Sequence, residues 1–184
     1  MSALFEDARR VVAGWAATSN DAEKARLRTL ELLADGPVAM TRLHAPGHVT
    51  ASTIIARPDG RLLLCLHGRL KMWMQVGGHG EPGDDALVAA AAREAYEESG
   101  IKGLIFDPDP IDLDIHPVPC KPTGATHHFD VRFLAIAPAG AVEQVSDESD
   151  ALGWFEPDAL PSPLAEGVSG QVEAALARLR QAQM

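Results

Sequence analysis

The sequence predicts an α+β domain of packed helices and strands, with a helical appendage at its N-terminus. Three observations favour this class. Apolar side chains recur at helical spacing in the first 35 residues, β-branched residues become frequent from His48, and later helices and strands mix without a regular βαβ pattern. A chain of 184 residues is long enough for one domain with a real core. We therefore divide it into an N-terminal helical segment, residues 1–45, and a main domain, residues 46–184.

The N-terminal segment is predicted to form two helices that serve as a scaffold. The apolar series of the first helix is Leu4, Ala8, Val11, Val12 and Trp15. Residues 19–21, Ser-Asn-Asp, supply candidates for the N-cap of the second helix. Its apolar series is Ala25, Leu27, Leu30 and Leu33. Gly36-Pro37 is expected to end this helix.

The main domain opens with a predicted hairpin. Residues 49–56 and 61–67 are strand candidates, and Pro58-Asp59-Gly60 forms the turn between them. A short strand over residues 72–76 then delivers the chain into a glycine-rich loop that begins at Gly77-Gly78. These two glycines would let the backbone approach a phosphate group.

A helix is predicted over about residues 85–98, with Asp84 or Asp85 as its N-cap and Gly100 as its C-terminal stop. Its expected apolar stripe consists of Val88, Ala92 and Ala95. Downstream, residues 128–137 are a strand candidate, residues 143–150 an acidic loop, residues 154–155 a short apolar piece and residues 165–183 a terminal helix. The proline-rich stretch around residues 117–122 is interpreted as a loop.

Composition excludes several functional classes. The net charge of −10, without an offsetting basic cluster, argues against a nucleic-acid partner. A small phosphorylated substrate stays compatible with that charge, because bound divalent ions can supply local positive charge. Two cysteines, Cys65 and Cys120, lack metal-type spacing and do not suggest a disulfide scaffold. The N-terminus does not resemble a signal peptide, and the apolar runs are too short to span a membrane, so we expect a cytoplasmic protein.

Three glutamates of the predicted helix, Glu94, Glu97 and Glu98, indicate a metal site. Around a helix, Glu97 lies about 60° to one side of Glu94 and Glu98 lies about 40° to the other. Like charges at these spacings repel each other, and a bound cation would relieve the repulsion. Carboxylate oxygens are the ligands that Mg²⁺ and Mn²⁺ prefer.

The sequence REAYEESGI at residues 93–101 resembles the second half of the Nudix box, G-x5-E-x7-R-E-U-x-E-E-x-G-U, where U is aliphatic. Every fixed position of that half is matched. In the first half, the acidic position falls on Asp85 when counted back from Arg93 and on Asp84 when counted forward from Gly78. This offset suggests a one-residue insertion near the start of the helix, with aspartate in place of glutamate.

The resemblance implies an α/β/α sandwich and a hydrolase that cleaves a diphosphate linkage in a nucleoside diphosphate derivative with Mg²⁺ or Mn²⁺. It implies that Glu97 and Glu98 are metal ligands and that Glu94 is a ligand or the base. Arg93 would orient a carboxylate by a charge-assisted bond. Glu148, in the acidic loop, would be a further ligand or base. The alternative interpretation is a solvated loop residue without a role in the site.

Two alternatives remain open. One is a Nudix-fold binding or regulatory module without catalysis, although such modules typically lose box glutamates. The other is an enzyme similar to isopentenyl-diphosphate isomerase, which would want a catalytic cysteine. In the family, a proline beyond the box marks ADP-ribose-type substrates, and Pro117, Pro119 and Pro122 are all near that place.

Several polar residues outside the glutamate helix are further candidates for the site. Glu81 and His79 are candidates for ligand or substrate contact, with a surface position as the alternative. His127 and His128 precede a strand, where adjacent side chains point to opposite faces and are not expected to share a metal.

Overall fold

A computed structural model describes residues 2–120 and 124–182, without the side chains of residues 2, 120, 125 and 182. The four helices in these ranges are α1 (Ser2–Gly14), α2 (Asn20–Leu33), α3 (Leu87–Ser99) and α4 (Val168–Ala182). The eight strands are β1 (His48–Ala56), β2 (Leu62–His67), β3 (Trp73–Met74), β4 (Val76–His79), β5 (Ile105–Phe106), β6 (Asp112–Cys120), β7 (Gly124–Ile136) and β8 (Ser149–Phe155). No helix within the described part of the chain is both long and apolar enough to cross a membrane.

The strands form one mixed sheet with β1 and β7 at its centre. These two strands run parallel, with His48 opposite His128 and Ala56 opposite Ile136. The main path of the sheet is β3-β2-β1-β7-β5, while β4 also pairs with β1, β6 with β7 and β8 with β2. All pairs other than β1 and β7 are antiparallel.

Helices cover both faces of the sheet. On one face, α1, α2 and α3 share a buried apolar cluster with Val49, Val131 and Phe133. On the other face, α4 packs Val168 and Val172 against a cluster at the hairpin end of β1. The predicted α+β fold and the expected α/β/α sandwich are thereby confirmed.

The N-terminal helices belong to the same core as the sheet. Leu4, Ala8 and Val12 of α1 are fully buried. The Trp15 Nε1–H group donates a hydrogen bond of 2.8 Å to the carbonyl oxygen of Pro110. Ser19 caps α2 as predicted, because its Oγ accepts a bond of 3.1 Å from the Ala22 N–H. The segment therefore packs on the sheet, and the division at residue 45 stays a prediction.

The predicted N-cap of α3 was wrong. The helix begins at Leu87, its N-cap residue is Ala86, and no side chain of the cap residue bonds to it. Instead, Asp7 of α1 accepts a 2.8 Å hydrogen bond from the Leu87 N–H. A carboxylate at this end also complements the helix dipole. Sequence periodicity could not reveal the contact, because the acceptor lies 80 residues away.

Replacing Asp7 with alanine should therefore destabilise α3 from outside the helix. We expect the free energy of unfolding to fall by about 0.5–2 kcal/mol, the usual loss for a helix cap. Asp7→Asn should keep most of the stability, since its amide oxygen can accept the same bond. Urea denaturation of both variants measures this, with Glu6→Ala, an exposed neighbour, as the control. Equal losses in Asp7→Ala and Glu6→Ala would contradict a capping role.

Two further boundaries differ from the predictions. Gly77 and Gly78 lie within strand β4, paired with Ser52 and Ala51, rather than in a loop. The first part of the proline-rich stretch, residues 117–120, forms the end of β6, with Pro117 opposite His127 and Pro119 opposite Ala125. Proline is tolerated there because β6 pairs only with β7 in the described sheet, which leaves one side free of ladder bonds. Pro122 lies outside the described residues.

The apolar stripe of α3 was predicted only in part. Ala95 is buried, but Val88 and Ala92 are half-buried at the edge of the contact. The buried positions are Leu87, Ala90, Ala91, Ala95, Glu98 and Ser99. The face that meets the sheet is therefore rotated so that it includes one of the three glutamates.

Candidate active site

The three glutamates of α3 have different surroundings. Glu98 is buried at 8% exposure, Glu94 is half-buried, and the side chain of Glu97 is 52% exposed. They spread from the edge of the core to the solvent, so they do not form one uniform surface. The three carboxylates therefore lie at the boundary between the buried core and the solvent.

Glu98 is fixed by the backbone of β4. Its Oε1 accepts a 2.8 Å hydrogen bond from the Gly77 N–H, and Oε2 lies 3.9 Å from the Cys65 sulfur. Burial raises the pKa of the Glu98 carboxyl to about 8. The negative charges of Glu94 and Glu148 add to this rise, while the bond from Gly77 opposes it.

Gly77 and Gly78 allow β4 to pass between β1 and α3. Gly77 has φ of +151°, and a Cβ there would lie 2.4 Å from Cβ of Ser52 and 2.7 Å from the carbonyl oxygen of Ala51. A Cβ on Gly78 would lie 2.5 Å from Oε1 of Glu94. The missing side chain of Gly77 leaves room for β1, and that of Gly78 leaves room for the Glu94 carboxylate. Both positions therefore require glycine.

The substitution Gly77→Ala should destabilise the protein by about 2–3 kcal/mol, because the backbone conformation is strained for other residues and the new methyl group meets β1. Gly14→Ala is a matched control, since its Cβ would meet nothing within 4 Å. Thermal and urea unfolding of the two variants measure the difference. Equal stability of Gly77→Ala and the wild type would show that β4 does not pass as closely as described.

Arg93 ties the helix to the strand and to the loop between them. Its guanidinium group donates to Glu97 Oε2 at 2.9 Å and to the His79 carbonyl oxygen at 2.8 Å. It also lies 3.1 Å from Oε1 of Glu94. These contacts are those of a residue that orients carboxylates, in the sense predicted from the sequence. Its part in a reaction stays a prediction.

The structure distinguishes the two aspartates at the displaced box position. Asp84 is buried at 8% exposure, and its Oδ2 accepts bonds from the Glu81 N–H at 2.7 Å and from Arg93 at 3.1 Å. Asp85 is exposed. Counting forward from Gly78 therefore finds the acidic residue that contacts Arg93. The spacing from Gly78 to Asp84 then fits the box, and the extra residue lies between Asp84 and Arg93, near the start of α3.

Glu94 and Glu148 contribute further negative charge to this region. Burial raises the pKa of the Glu94 carboxyl. Arg93 opposes that rise, whereas the charges of Glu97 and Glu148 support it. Glu148 is exposed in the loop before β8, where its carbonyl oxygen accepts a 3.0 Å bond from the Gly68 N–H. The region thus combines several carboxylates with the guanidinium group of Arg93.

Sequence reasoning missed a row of polar side chains on the sheet face opposite α3. Arg132 is almost fully buried there and bonds to three aspartates: Asp130 at 3.1 Å, Asp112 at 3.1 Å and Asp114 at 2.8 Å. Thr50 and Ser52 of β1 also donate to Asp130, at 3.0 and 2.6 Å. The alternation of Asp112 and Asp114 was the available signal, but the neighbouring prolines had suggested a loop.

Comparison with known proteins places this geometry in a family. The profile of the family described as NUDIX domain matches residues 46–176. A MutT-like protein from Streptomyces ambofaciens is 30% identical over 122 residues, which cover 64% of this chain and 70% of that protein.

Solved structures agree with the family match. A MutT NUDIX hydrolase from Burkholderia pseudomallei superimposes with a TM-score of 0.56 and 27% identity, covering 70% of this chain and 97% of that one. An Ap4A hydrolase from C. elegans has a TM-score of 0.59 and 24% identity, covering 72% and 98%, and supports the fold alone. The predicted Nudix hydrolase relationship is therefore confirmed, and this chain belongs to the NUDIX family.

Proposed function

We propose that this chain is a hydrolase that depends on Mg²⁺ or Mn²⁺ and cleaves a diphosphate linkage in a nucleoside diphosphate derivative. The observation that carries the proposal is the position of Glu98 and Glu94, one helical turn apart on α3, against one glycine pair of β4. Glu98 accepts from the Gly77 N–H, and Glu94 lies where a side chain of Gly78 would otherwise be. Backbone and carboxylates thus border the same space.

The donor set fits a hard divalent cation. All candidate ligands are carboxylates, which Mg²⁺ and Mn²⁺ prefer over nitrogen or sulfur ligands. Burial raises the pKa of Glu94 and Glu98, the negative charges of neighbouring glutamates add to the rise, and a cation would offset both effects. Glu97 and Glu98 would hold the ion, with Glu94 as ligand or base and Glu148 as an additional ligand or base. When bound, such an ion polarises phosphorus and lowers the pKa of a coordinated water.

The remaining residues position these groups. The Gly77 N–H orients the Glu98 carboxylate, and Arg93 holds Glu97 against the start of the loop. Because Arg93 also bonds to the His79 carbonyl oxygen and to Asp84, it fixes α3 relative to β4. A fixed carboxylate needs little reorganisation when substrate binds. We also propose that the backbone of Gly77 and Gly78, which is bordered by Ser52 and Glu94, contacts a phosphate group of the substrate.

The substrate class follows from charge as well as from the family. A net charge of −10 favours a small phosphorylated compound over a nucleic acid. We infer a cytoplasmic enzyme whose reaction is carried by residues 46–184, with residues 1–45 as support. Pro117, the candidate marker for ADP-ribose-type substrates, lies on β6 opposite His127. Pro119 is on the same strand, so the position of Pro117 does not single out that substrate.

The two alternatives make different predictions. A binding module would bind nucleotides without turnover. An isomerase would rearrange isopentenyl diphosphate without releasing phosphate and would need a reactive cysteine. Cys65 is near Glu98, but it is buried at 2% exposure, and burial raises the pKa of its thiol to about 12. The protonated thiol is a weak nucleophile.

The test is a substrate panel under matched metal conditions. Nucleoside diphosphate derivatives, dinucleoside polyphosphates and isopentenyl diphosphate are incubated with Mg²⁺, Mn²⁺ or a chelator, and the products are identified by mass spectrometry. We expect cleavage of at least one diphosphate linkage with either ion and none with chelator. Binding without cleavage would favour the regulatory module, and isomerisation without phosphate release would favour the isomerase.

A further inference from the structure

Three histidine rings from three neighbouring strands meet on the sheet face opposite α3. They are His48 of β1, His79 of β4 and His128 of β7. Each pair of ring centroids is 4.9 Å apart, and one ligand nitrogen from each ring lies within 4.8 Å of the others. We propose that His48, His79 and His128 bind one divalent transition-metal ion that prefers imidazole ligands, such as Zn²⁺, at a site separate from the carboxylates.

The strand register creates this cluster. His48 is directly opposite His128 in the parallel pair of β1 and β7. His79 pairs with Thr50, which is two residues from His48 and therefore on the same face of β1. The three ligands thus come from hydrogen-bonded strands rather than from loops, and their backbone positions are fixed before any ion binds.

The distances suit a transition-metal ion after small ring rotations. Nε2 of His48 and Nε2 of His79 share a hydrogen bond of 2.9 Å, and an ion that binds both nitrogens would require its proton to move to an Nδ1 atom. Two nitrogens on a tetrahedral Zn²⁺ ion, at about 2.0–2.1 Å each, are separated by about 3.3 Å. The buried Nε2 of His128 has no hydrogen-bond partner among the residues that the structure describes. An ion would satisfy this atom, which is otherwise costly to bury.

The rings are in the form that binds metals. Burial lowers the pKa of His48 and of His128 to about 4, and that of His79 to about 3. The positive charge of exposed Arg42 lowers all three further, while the negative charge of Asp130 opposes this at His128. Neutral imidazoles at neutral pH offer a lone pair without first losing a proton.

The ligand type separates this site from the carboxylates. Imidazole nitrogens suit Zn²⁺, Co²⁺, Ni²⁺ and Cu²⁺, whereas Mg²⁺ and Mn²⁺ favour oxygen. Three protein ligands leave one tetrahedral position open for water or for a ligand oxygen. His116 extends the row, with its ring 5.6 Å from His128, but its Nδ1 already contacts Asp114 at 2.7 Å.

The ion would connect β1, β4 and β7 directly beside the glycine pair. His79 follows Gly78, and its carbonyl oxygen accepts from Arg93 while its ring contacts the other histidines. We therefore expect bound Zn²⁺ to raise the thermal unfolding midpoint of the whole chain.

Metal titration of the chelator-treated full chain tests the proposal. Co²⁺ is added in the presence of excess Mg²⁺, which occupies carboxylate sites, and the visible absorption of the bound ion is followed. We expect one equivalent to bind, with the intense bands of tetrahedral nitrogen coordination, and Zn²⁺ to displace it. Metal content after gel filtration gives an independent stoichiometry.

Matched variants assign the ligands. His128→Ala and His79→Ala should each weaken Co²⁺ binding by more than about 100-fold, since even outer partners of metal sites contribute about 10–100-fold. His127→Ala, the exposed neighbour on β7, should bind Co²⁺ normally, and so should Glu98→Gln. Circular dichroism checks that each variant is folded.

Several results of these titrations would overturn the site. The first is a lack of Co²⁺ binding in excess Mg²⁺. The second is a loss of Co²⁺ affinity in His127→Ala equal to that in His128→Ala. The third is a loss of Co²⁺ affinity in Glu98→Gln, which would assign the ion to the carboxylates. If both histidine variants fail to fold, Co²⁺ binding and Zn²⁺-dependent unfolding of the wild-type protein still test the site. An unfolding midpoint that Zn²⁺ leaves unchanged would contradict an ion that links three strands.

Discussion

Replacing Glu98 with glutamine should reduce kcat/KM for a diphosphate substrate by about 10²–10⁴-fold, the range expected when one essential acid–base or charge-bearing group is lost. The amide oxygen of glutamine can still accept the bond from the Gly77 N–H, so the geometry of β4 should be kept. What is lost is the negative charge that the carboxyl takes on when a cation binds. Steady-state kinetics with Mg²⁺ measure the effect on turnover.

Stability provides the internal check on this variant. Burial disfavours the charged carboxylate of Glu98, so a neutral amide should leave the free energy of unfolding unchanged or slightly higher. Glu173→Gln, an exposed glutamate on α4, is the control for any general effect of removing one charge. If Glu98→Gln keeps the activity of the wild type, or loses it only by unfolding, the proposed function of this carboxylate is wrong.

The variant Arg132→Met should lower the free energy of unfolding by about 3–5 kcal/mol, the usual result of removing one partner from a buried charge network. The side chain of Arg132 is 2% exposed and bonds to Asp112, Asp114 and Asp130. Methionine fills similar space but leaves the three carboxylates without their cation. Urea denaturation at neutral pH measures the loss.

Two comparisons make this result specific to the network. Arg69→Met, at an exposed position, should change stability by less than about 0.5 kcal/mol. Adding Asp130→Asn to Arg132→Met should recover part of the stability, because one of the uncompensated charges is then removed. A loss below about 1 kcal/mol in Arg132→Met would show that solvent reaches these carboxylates.

Local sequence signals predicted the elements whose residues interact with near neighbours. The helices α1 and α2, the Ser19 cap and the turn after β1 depend on residues a few positions apart, and all were found. The apolar series predicted for α2 was wrong in part, because Leu27 is exposed and the buried positions of that helix are Ala22, Thr29, Leu32 and Leu33. The glutamate helix was found for the same reason. Its N-cap was not, because the carboxylate that bonds to Leu87 comes from Asp7 on another helix.

Contacts between distant strands could not be predicted in this way. β6 was missed because its prolines suggest a loop, and only the edge position of the strand explains why they are tolerated. The histidines of β1, β4 and β7 are separated by 31 residues or more along the chain. Their convergence depends on the strand register, which a single sequence does not specify.

The sequence was enough to identify the residues of the candidate active site but not the surroundings of each side chain. Glu94, Glu97, Glu98 and Arg93 were identified from spacing and family resemblance, and the structure gives them unequal surroundings. Glu97 reaches solvent, whereas Glu98 is held by β4. Which aspartate contacts Arg93 depended on the turn before α3, and the structure identifies Asp84.

Hydrolysis in ¹⁸O-labelled water tests the central claim most directly, because it reports both the metal requirement and the atom that is attacked. With Mg²⁺ or Mn²⁺ and the best substrate of the panel, we predict that each turnover places one ¹⁸O atom in a phosphate group of the products. Chelator should abolish the incorporation. Turnover that persists without a divalent ion, or label found outside the phosphate groups, would contradict the account.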